Sequence, residues 1–183
     1  MEREHTKLSA HTPLTGQTGE VVFTFATLPE DLVAMQALPE AALQTPAQTV
    51  ALTVLALCAY AKDPEAGIAM LDWLRGPRPL TEMDRSFLRD RFRDGKSYLP
   101  FTYFEGATPE NGYTPSQPFR IRVVANATSA AEAGYQKLFL PCGGADAPRP
   151  VKLRQRGSDG KWLLWEQYLL TGVRLPKAED PWA

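Results

Sequence analysis

Apolar residues recur with helical spacing through the first half of the chain, between clear start and stop signals. Thr45 and Pro46 predict an N-cap and a first helical residue, and the apolar run after them continues to about Ala61. Because this run is apolar nearly all round its circumference, we expect it to form a buried central helix. Capping residues and glycine or proline stops predict three more helices, over about residues 28–38, 63–75 and 81–94.

After Gly95 the pattern changes to short runs rich in β-branched and aromatic residues, which are typical of strands. Strands are predicted over residues 119–125, 135–140, 151–156 and 161–169, and one more precedes the helices, over residues 20–26. The turn residues 157–160, Gly-Ser-Asp-Gly, predict a hairpin between the last two strands. The run 161–169 is apolar on both faces, so we expect it at the centre of the sheet.

Helices followed by an antiparallel meander predict an α+β domain. The expected arrangement is an N-terminal strand and a helical half of about four helices, packed on a C-terminal, mostly antiparallel sheet of four to five strands. Residues 1–19 are polar and lack periodicity, so we interpret them as a flexible tail before a single domain over residues 20–183. A length of 183 residues and a hydrophobic fraction of 44% suit one such domain.

Composition argues against several classes of function. The formal net charge is −1, without a clustered basic excess, so we expect neither nucleic acid nor a membrane surface as partner. The only two histidines, His5 and His11, both lie in the predicted tail. A histidine base, a histidine metal ligand and a Ser-His-Asp triad are therefore not expected. Two cysteines, Cys58 and Cys142, are too few for a metal site, and no cofactor is expected.

The apolar segments also bear on the expected location of the protein. The longest of them, residues 50–61, is too short to span a bilayer. The N-terminal residues lack the apolar core of a secretory signal. We therefore expect a cytoplasmic protein.

Charge is distributed unevenly along the chain. Residues 1–61 carry two basic and six acidic side chains, whereas residues 62–183 carry 18 basic and 15 acidic ones. Alternation places Lys152, Arg154 and Arg156 on one face of their strand, and it places Arg120 and Arg122 together on theirs. If these strands pair, five cations cover one face of the sheet. Such a face is either a site for an anion or acidic partner, or a solvated surface with acids such as Glu166 and Asp146 as ion-pair partners.

Two loops carry the mixture of residues that ligand-binding loops use. The segment 101–115, FTYFEGATPENGYTP, combines aromatic rings with acids, an amide and glycines. Its alternative role is to pin itself to the core with its rings. The segment 143–150, GGADAPRP, suggests a backbone turn near an anion but matches neither nucleotide fingerprint. The candidate ligand-binding residues are Tyr103, Glu105, Asn111, Tyr113, Asp146, Arg149 and Arg154.

Two functional hypotheses follow from these loops and charges. The first is a non-enzymatic intracellular binding or interaction domain that uses the loop 101–115 and the basic sheet face, without catalytic residues. Its expected partner is a small anionic ligand or a protein. The alternative is a histidine-independent hydrolase or lyase in which Glu105, Asp146 or Glu166 acts as acid or base.

Several long motifs carry a resemblance to a known family. They are YLPFTYFEGATPENGYTP, GGADAPRPVKLR, GKWLLWEQYLLTGVRLP and the final DPWA, preceded by LRGPRPLTEMDRSFLRDRF. With these motifs, residues 20–183 resemble a family of uncharacterised bacterial proteins classed as a domain of unknown function. The resemblance implies a bacterial, cytoplasmic, single-domain protein, and it brings no activity, cofactor or catalytic residue.

Overall fold

Five antiparallel strands form one sheet in the computed structural model, which describes residues 19–183. The strands are β1 (Gly19–Phe25), β2 (Phe119–Ala125), β3 (Tyr135–Leu140), β4 (Arg149–Gln155) and β5 (Trp162–Gln167). They lie side by side in the order of the chain, so every neighbouring pair is antiparallel. The predicted α+β class and antiparallel sheet are confirmed.

Four α-helices lie between β1 and β2 in the described part of the chain. They are α1 (Leu32–Gln36), α2 (Pro46–Lys62), α3 (Pro64–Arg75) and α4 (Glu82–Phe92). Thr45, Asp63 and Thr81 cap the last three, as their positions in the sequence predict. Short 3₁₀ turns occupy Pro39–Ala42, Lys96–Tyr103, Pro109–Asn111 and Lys177–Glu179.

The core lies between α2 and the inner face of the sheet. Nearly every residue of α2 is buried, in agreement with the prediction of a central helix. On the sheet, the alternate residues Ile121, Val123, Leu138 and Leu153 are fully buried and join the same apolar cluster. The opposite, outer face therefore carries the intervening side chains of each strand.

Strand β5 is an edge strand, so the prediction that residues 161–169 lie at the centre of the sheet is wrong. Its free edge is covered by the helical half instead of by a sixth strand. The Trp162 N–H donates to the Leu43 carbonyl over 2.9 Å, and the Thr49 hydroxyl donates to the Trp162 carbonyl over 2.6 Å. A strand whose edge is buried against helices needs apolar residues on both faces, as a central strand does, so the two have the same sequence pattern.

Two other expectations concern the ends of the chain and its apolar segments. The predicted tail, residues 1–19, lies outside the described residues except for Gly19, which begins β1. Among residues 19–183, no helix combines the length and the apolar character needed to cross a membrane.

Candidate anion-binding cleft

The aromatic rings of the loop 101–115 are packed into the protein. Tyr103 and Tyr113 are both buried. The Tyr103 hydroxyl donates to the carbonyl of Leu169, and the Tyr113 hydroxyl donates to the carbonyl of Arg174 over 2.7 Å. Burial raises the pKa of Tyr113 to about 12. The rings of Tyr103 and Tyr113 therefore attach the loop to the core.

The polar candidates of the two loops also hold neighbouring backbone in place. The side-chain oxygen Oδ1 of Asn111 accepts the N–H groups of Thr108 and Thr114, each over 3.0 Å. Asp146 is ion-paired with Arg174, with 3.0 Å between oxygen and nitrogen, and Arg149 donates to the carbonyl of Gly172. Asn111, Asp146 and Arg149 are therefore each bonded to other groups of the chain.

The three carboxylates of the hydrolase hypothesis have separate surroundings. The backbone of Glu105 is bonded to Arg120 on β2, whereas Glu166 lies on β5 and accepts the Tyr168 hydroxyl. Strands β2 and β5 are three strand spacings apart, which is about 14 Å. Asp146 is bound to Arg174. The structure therefore places Glu105 next to β2 and Glu166 on β5, and it pairs Asp146 with Arg174.

The basic outer face of the sheet spans three strands. Strands β2 and β4 do not pair, because β3 lies between them. Two of the cations on this face are ion-paired: Arg122 with Glu20 at 3.5 Å and Lys152 with Glu132 at 2.8 Å. Such exposed pairs are weak, so this part of the face has the character of an ordinary solvated surface.

A row of alternating cations and aromatic rings crosses the outer face from β3 to the helical half. The Lys152 ammonium lies 4.5 Å from the ring centre of Tyr135, and Arg154 lies 5.4 Å from the same ring and 5.1 Å from that of Trp165. Arg78 lies over the Trp165 ring at 3.7 Å. Cation–π contacts of this kind hold guanidinium groups in fixed positions without neutralising them.

Trp165 reaches this position through a bulge in β5. Leu153 pairs with Leu164, and the next pair is Lys152 with Glu166, so Trp165 is the extra residue. The bulge also frees the Trp165 carbonyl, which accepts the guanidinium of Arg78 over 2.7 Å. The strand irregularity thus connects β5 to the segment that follows α3.

A cavity of about 400 Å³ opens beside Trp165. We call it the arginine cleft, and define it by Arg75, Arg78, Arg154, Arg156, Leu163 and Trp165. The arginines come from the end of α3, the segment after it, β4 and the turn after β4. Among the described residues that line the cleft there is no carboxylate.

The four guanidinium groups differ in how far they are neutralised. Arg75 is the most enclosed, with 10% of its side chain exposed, and its nearest carboxylate, that of Asp84, is 3.7 Å away. Burial, followed by the charge of Arg78, lowers the pKa of Arg75. Arg156 binds both oxygens of Asp159, over 3.1 and 2.6 Å. The side chain of Arg154 makes cation–π contacts but no hydrogen bond or ion pair with any described residue, so its charge is available to a ligand.

Sequence reasoning found part of this site. Arg154 belongs to the predicted ligand-binding residues, and Arg156 belongs to the predicted basic stripe. Arg75 and Arg78 were missed, because about 75 to 90 positions separate them from the other residues of the cleft. Trp165 was missed because its position depends on the bulge in β5. The one local signal is the pair of arginines around the helix stop Gly76-Pro77, which in the sequence resembles an ordinary helix end.

Comparison with other proteins places the chain in a family. No curated protein and no solved structure matches it. Residues 27–177 match a family model, in agreement with the resemblance seen in the sequence motifs. Because this match spans well over half of the chain, the protein belongs to the family described as Domain of unknown function (DUF6935).

Proposed function

We propose that this protein is a non-enzymatic binding domain that recognises an anionic group, a phosphate or a carboxylate, in the arginine cleft. The observation that carries the proposal is that four arginines line one cavity, and that none of the described residues lining it is a carboxylate. Guanidinium groups bind phosphate and carboxylate oxygens through paired, charge-assisted hydrogen bonds. We place this function in the bacterial cytoplasm, as the sequence leads us to expect.

Preorganisation supports the proposal. Arg78 is held between the Trp165 ring and the Trp165 carbonyl, and Arg75 donates to the Arg78 carbonyl over 2.9 Å. A ligand therefore does not have to immobilise these side chains, which reduces the entropy lost on binding. Arg154, at the exposed side of the cleft, supplies the cation without a counterion.

Calorimetric titration with inorganic phosphate tests the proposal. We expect binding that weakens as salt concentration rises. The substitution Arg154→Ala removes a charged hydrogen-bond donor worth about 1.5–3 kcal/mol, so the phosphate affinity falls about 10- to 100-fold. Arg122→Ala is the matched control, because Arg122 is an exposed cation on the same face that lies outside the cleft.

Two results would contradict the proposal. One is the absence of binding for phosphate, sulfate and citrate at low ionic strength. The other is an equal loss of affinity in Arg122→Ala and Arg154→Ala, which would indicate general attraction to a basic surface instead of a site.

A further inference from the structure

An apolar groove adjoins the arginine cleft. It has a volume of about 580 Å³ and lies between α4 and β5. We call it the α4 groove, and define it by Leu80, Met83, Phe87, Leu164, Tyr168 and Leu170. Arg75 and Leu164 line both the groove and the cleft, so the two cavities meet at these side chains.

One face of α4 leaves large apolar side chains partly or largely exposed. Met83 and Phe87 are one helical turn apart, and they are 82% and 42% exposed. Leu88 is buried, and Phe92 packs on Tyr60 with 4.8 Å between ring centres. The sequence predicts a single apolar stripe that includes all four side chains. The structure divides that stripe into an inward pair and an outward pair, and the outward pair forms a wall of the α4 groove.

The charges around the two cavities differ in sign. The cleft is lined by four arginines, whereas the groove has the carboxylates of Asp84 and Glu166 among its lining residues. An acidic ligand group is repelled from the groove and attracted to the cleft. The apolar walls of the groove favour an apolar ligand group.

We propose that the occupant is a peptide segment of a partner protein in which apolar side chains lie next to an acidic residue. The apolar side chains fill the α4 groove, and the acidic side chain enters the arginine cleft beyond Arg75. This inference rests on the proposed function, because it assigns the anion in the cleft to a side chain of the partner. A peptide combines both chemistries within a few residues, at about 3.3 Å for each extended residue.

A nucleic acid fits this surface less well. Its phosphates repeat at every nucleotide, so a strand that follows both cavities brings negative charge to Asp84 and Glu166 in the groove. The chain as a whole also carries a formal net charge of −1.

Selection of a phage-displayed random peptide library on the whole chain tests the inference. We expect the enriched peptides to share apolar residues next to aspartate or glutamate. A fluorescein-labelled copy of the most enriched peptide is then titrated by fluorescence polarisation. We expect Met83→Ser and Phe87→Ser each to weaken its binding about tenfold and to leave phosphate binding unchanged. Val33→Ser is the control, because Val33 is 77% exposed and lies on α1, outside the groove.

The outcomes separate this inference from the proposed function. One outcome is that phosphate binds but the selection enriches no peptide with apolar and acidic residues. Another is that phosphate binds but the peptide affinity is the same in both groove variants. In either case the peptide partner is wrong and the anion site stands. If phosphate does not bind at all, the proposed function fails and this inference fails with it. A third outcome is that oligodeoxythymidine competes with phosphate for the cleft and that its affinity is unchanged in Phe87→Ser. That result would identify a nucleic acid as the ligand and overturn the inference.

Discussion

Arg78 contributes to the fold and to the candidate site through the same guanidinium group. It lies over the ring of Trp165 and donates to the Trp165 carbonyl on the bulge of β5. Substitution of Arg78 therefore changes the edge of the sheet as well as the charge of the cleft. Among residues 19–183, the contacts of the Arg154 side chain are cation–π contacts with Tyr135 and Trp165, so its substitution changes mainly the charge.

Asp159 illustrates how one residue links stability to pH. The hydrogen bond from Arg156, followed by one from the Lys161 N–H, lowers the pKa of Asp159 from 3.8 to about 2. Because the pKa is lower in the folded state, the contribution to stability is present above about pH 4 and is lost as the pH falls to about 2. We expect the difference in unfolding free energy between the wild type and Asp159→Asn to shrink over that interval, as measured by urea unfolding at a series of pH values.

The variant Arg156→Gln provides the control for this prediction. It removes the main cause of the pKa shift while leaving the carboxylate in place. We expect it to show the same loss of pH dependence, and the double variant to show little further change, because the two residues act as one pair. A free-energy difference for Asp159→Asn that stays constant from pH 5 to pH 2 would contradict the assignment.

At the scale of elements, the edge of β5 is the most distinctive feature. A row of unpaired backbone groups at a sheet edge is a site for unwanted pairing unless it is covered. Here a hydroxyl of α2 and the backbone of Leu43 satisfy Trp162, and Arg78 satisfies the Trp165 carbonyl. The helical half thus ends the sheet at β5.

The substitution Thr49→Val tests this covering of the edge. Thr49 is fully buried, and its hydroxyl donates to the Trp162 carbonyl over 2.6 Å. Without that donor a buried carbonyl loses a partner, so we expect a decrease of about 1–3 kcal/mol in the free energy of unfolding, measured with urea.

Thr53→Val is the matched control on the same helix. Thr53 is equally buried, but its hydroxyl donates to the Thr49 carbonyl, which the helix already satisfies. We expect the smaller loss at Thr53. Equal losses at the two positions would show that the cost comes from repacking and not from the edge carbonyl.

At the scale of the whole molecule, one apolar cluster joins both halves of the chain. It includes Val54 and Leu55 of α2, Leu74 of α3 and Leu138 and Val151 of the sheet. Neither half keeps a core of its own if the other unfolds. We therefore expect residues 19–183 to unfold as a single domain.

Cooperative unfolding is the expected consequence of the shared core. Far-UV circular dichroism reports mainly on the helices. In a variant with Trp73→Phe and Trp182→Phe, the remaining tryptophans, Trp162 and Trp165, report on β5. We expect both signals to give the same urea midpoint and the same dependence on denaturant. Separate midpoints that persist at several protein concentrations would contradict a single cooperative unit.

Local patterns in the sequence were sufficient to predict the elements and the class of the fold. Thr45, Asp63 and Thr81 mark helix starts because a side-chain oxygen caps the backbone within three residues, an interaction that needs no distant partner. Alternating apolar and polar residues indicate the strands, and this pattern too is read from neighbouring positions in the chain. The position of β5 could not be predicted, because burial against helices and burial between strands produce the same apolar sequence.

The candidate site was decided by the tertiary structure. The sequence by itself placed Arg154 on a basic face and left two roles open for the aromatic loop 101–115, ligand binding and packing on the core. It could not show that Tyr103 and Tyr113 turn inward. The arginine cleft forms because the bulge at Trp165 brings β5 against the segment after α3. Contacts between residues so far apart in the chain arise only from packing, and for this reason the sequence determined the elements while the tertiary structure determined where their charges meet.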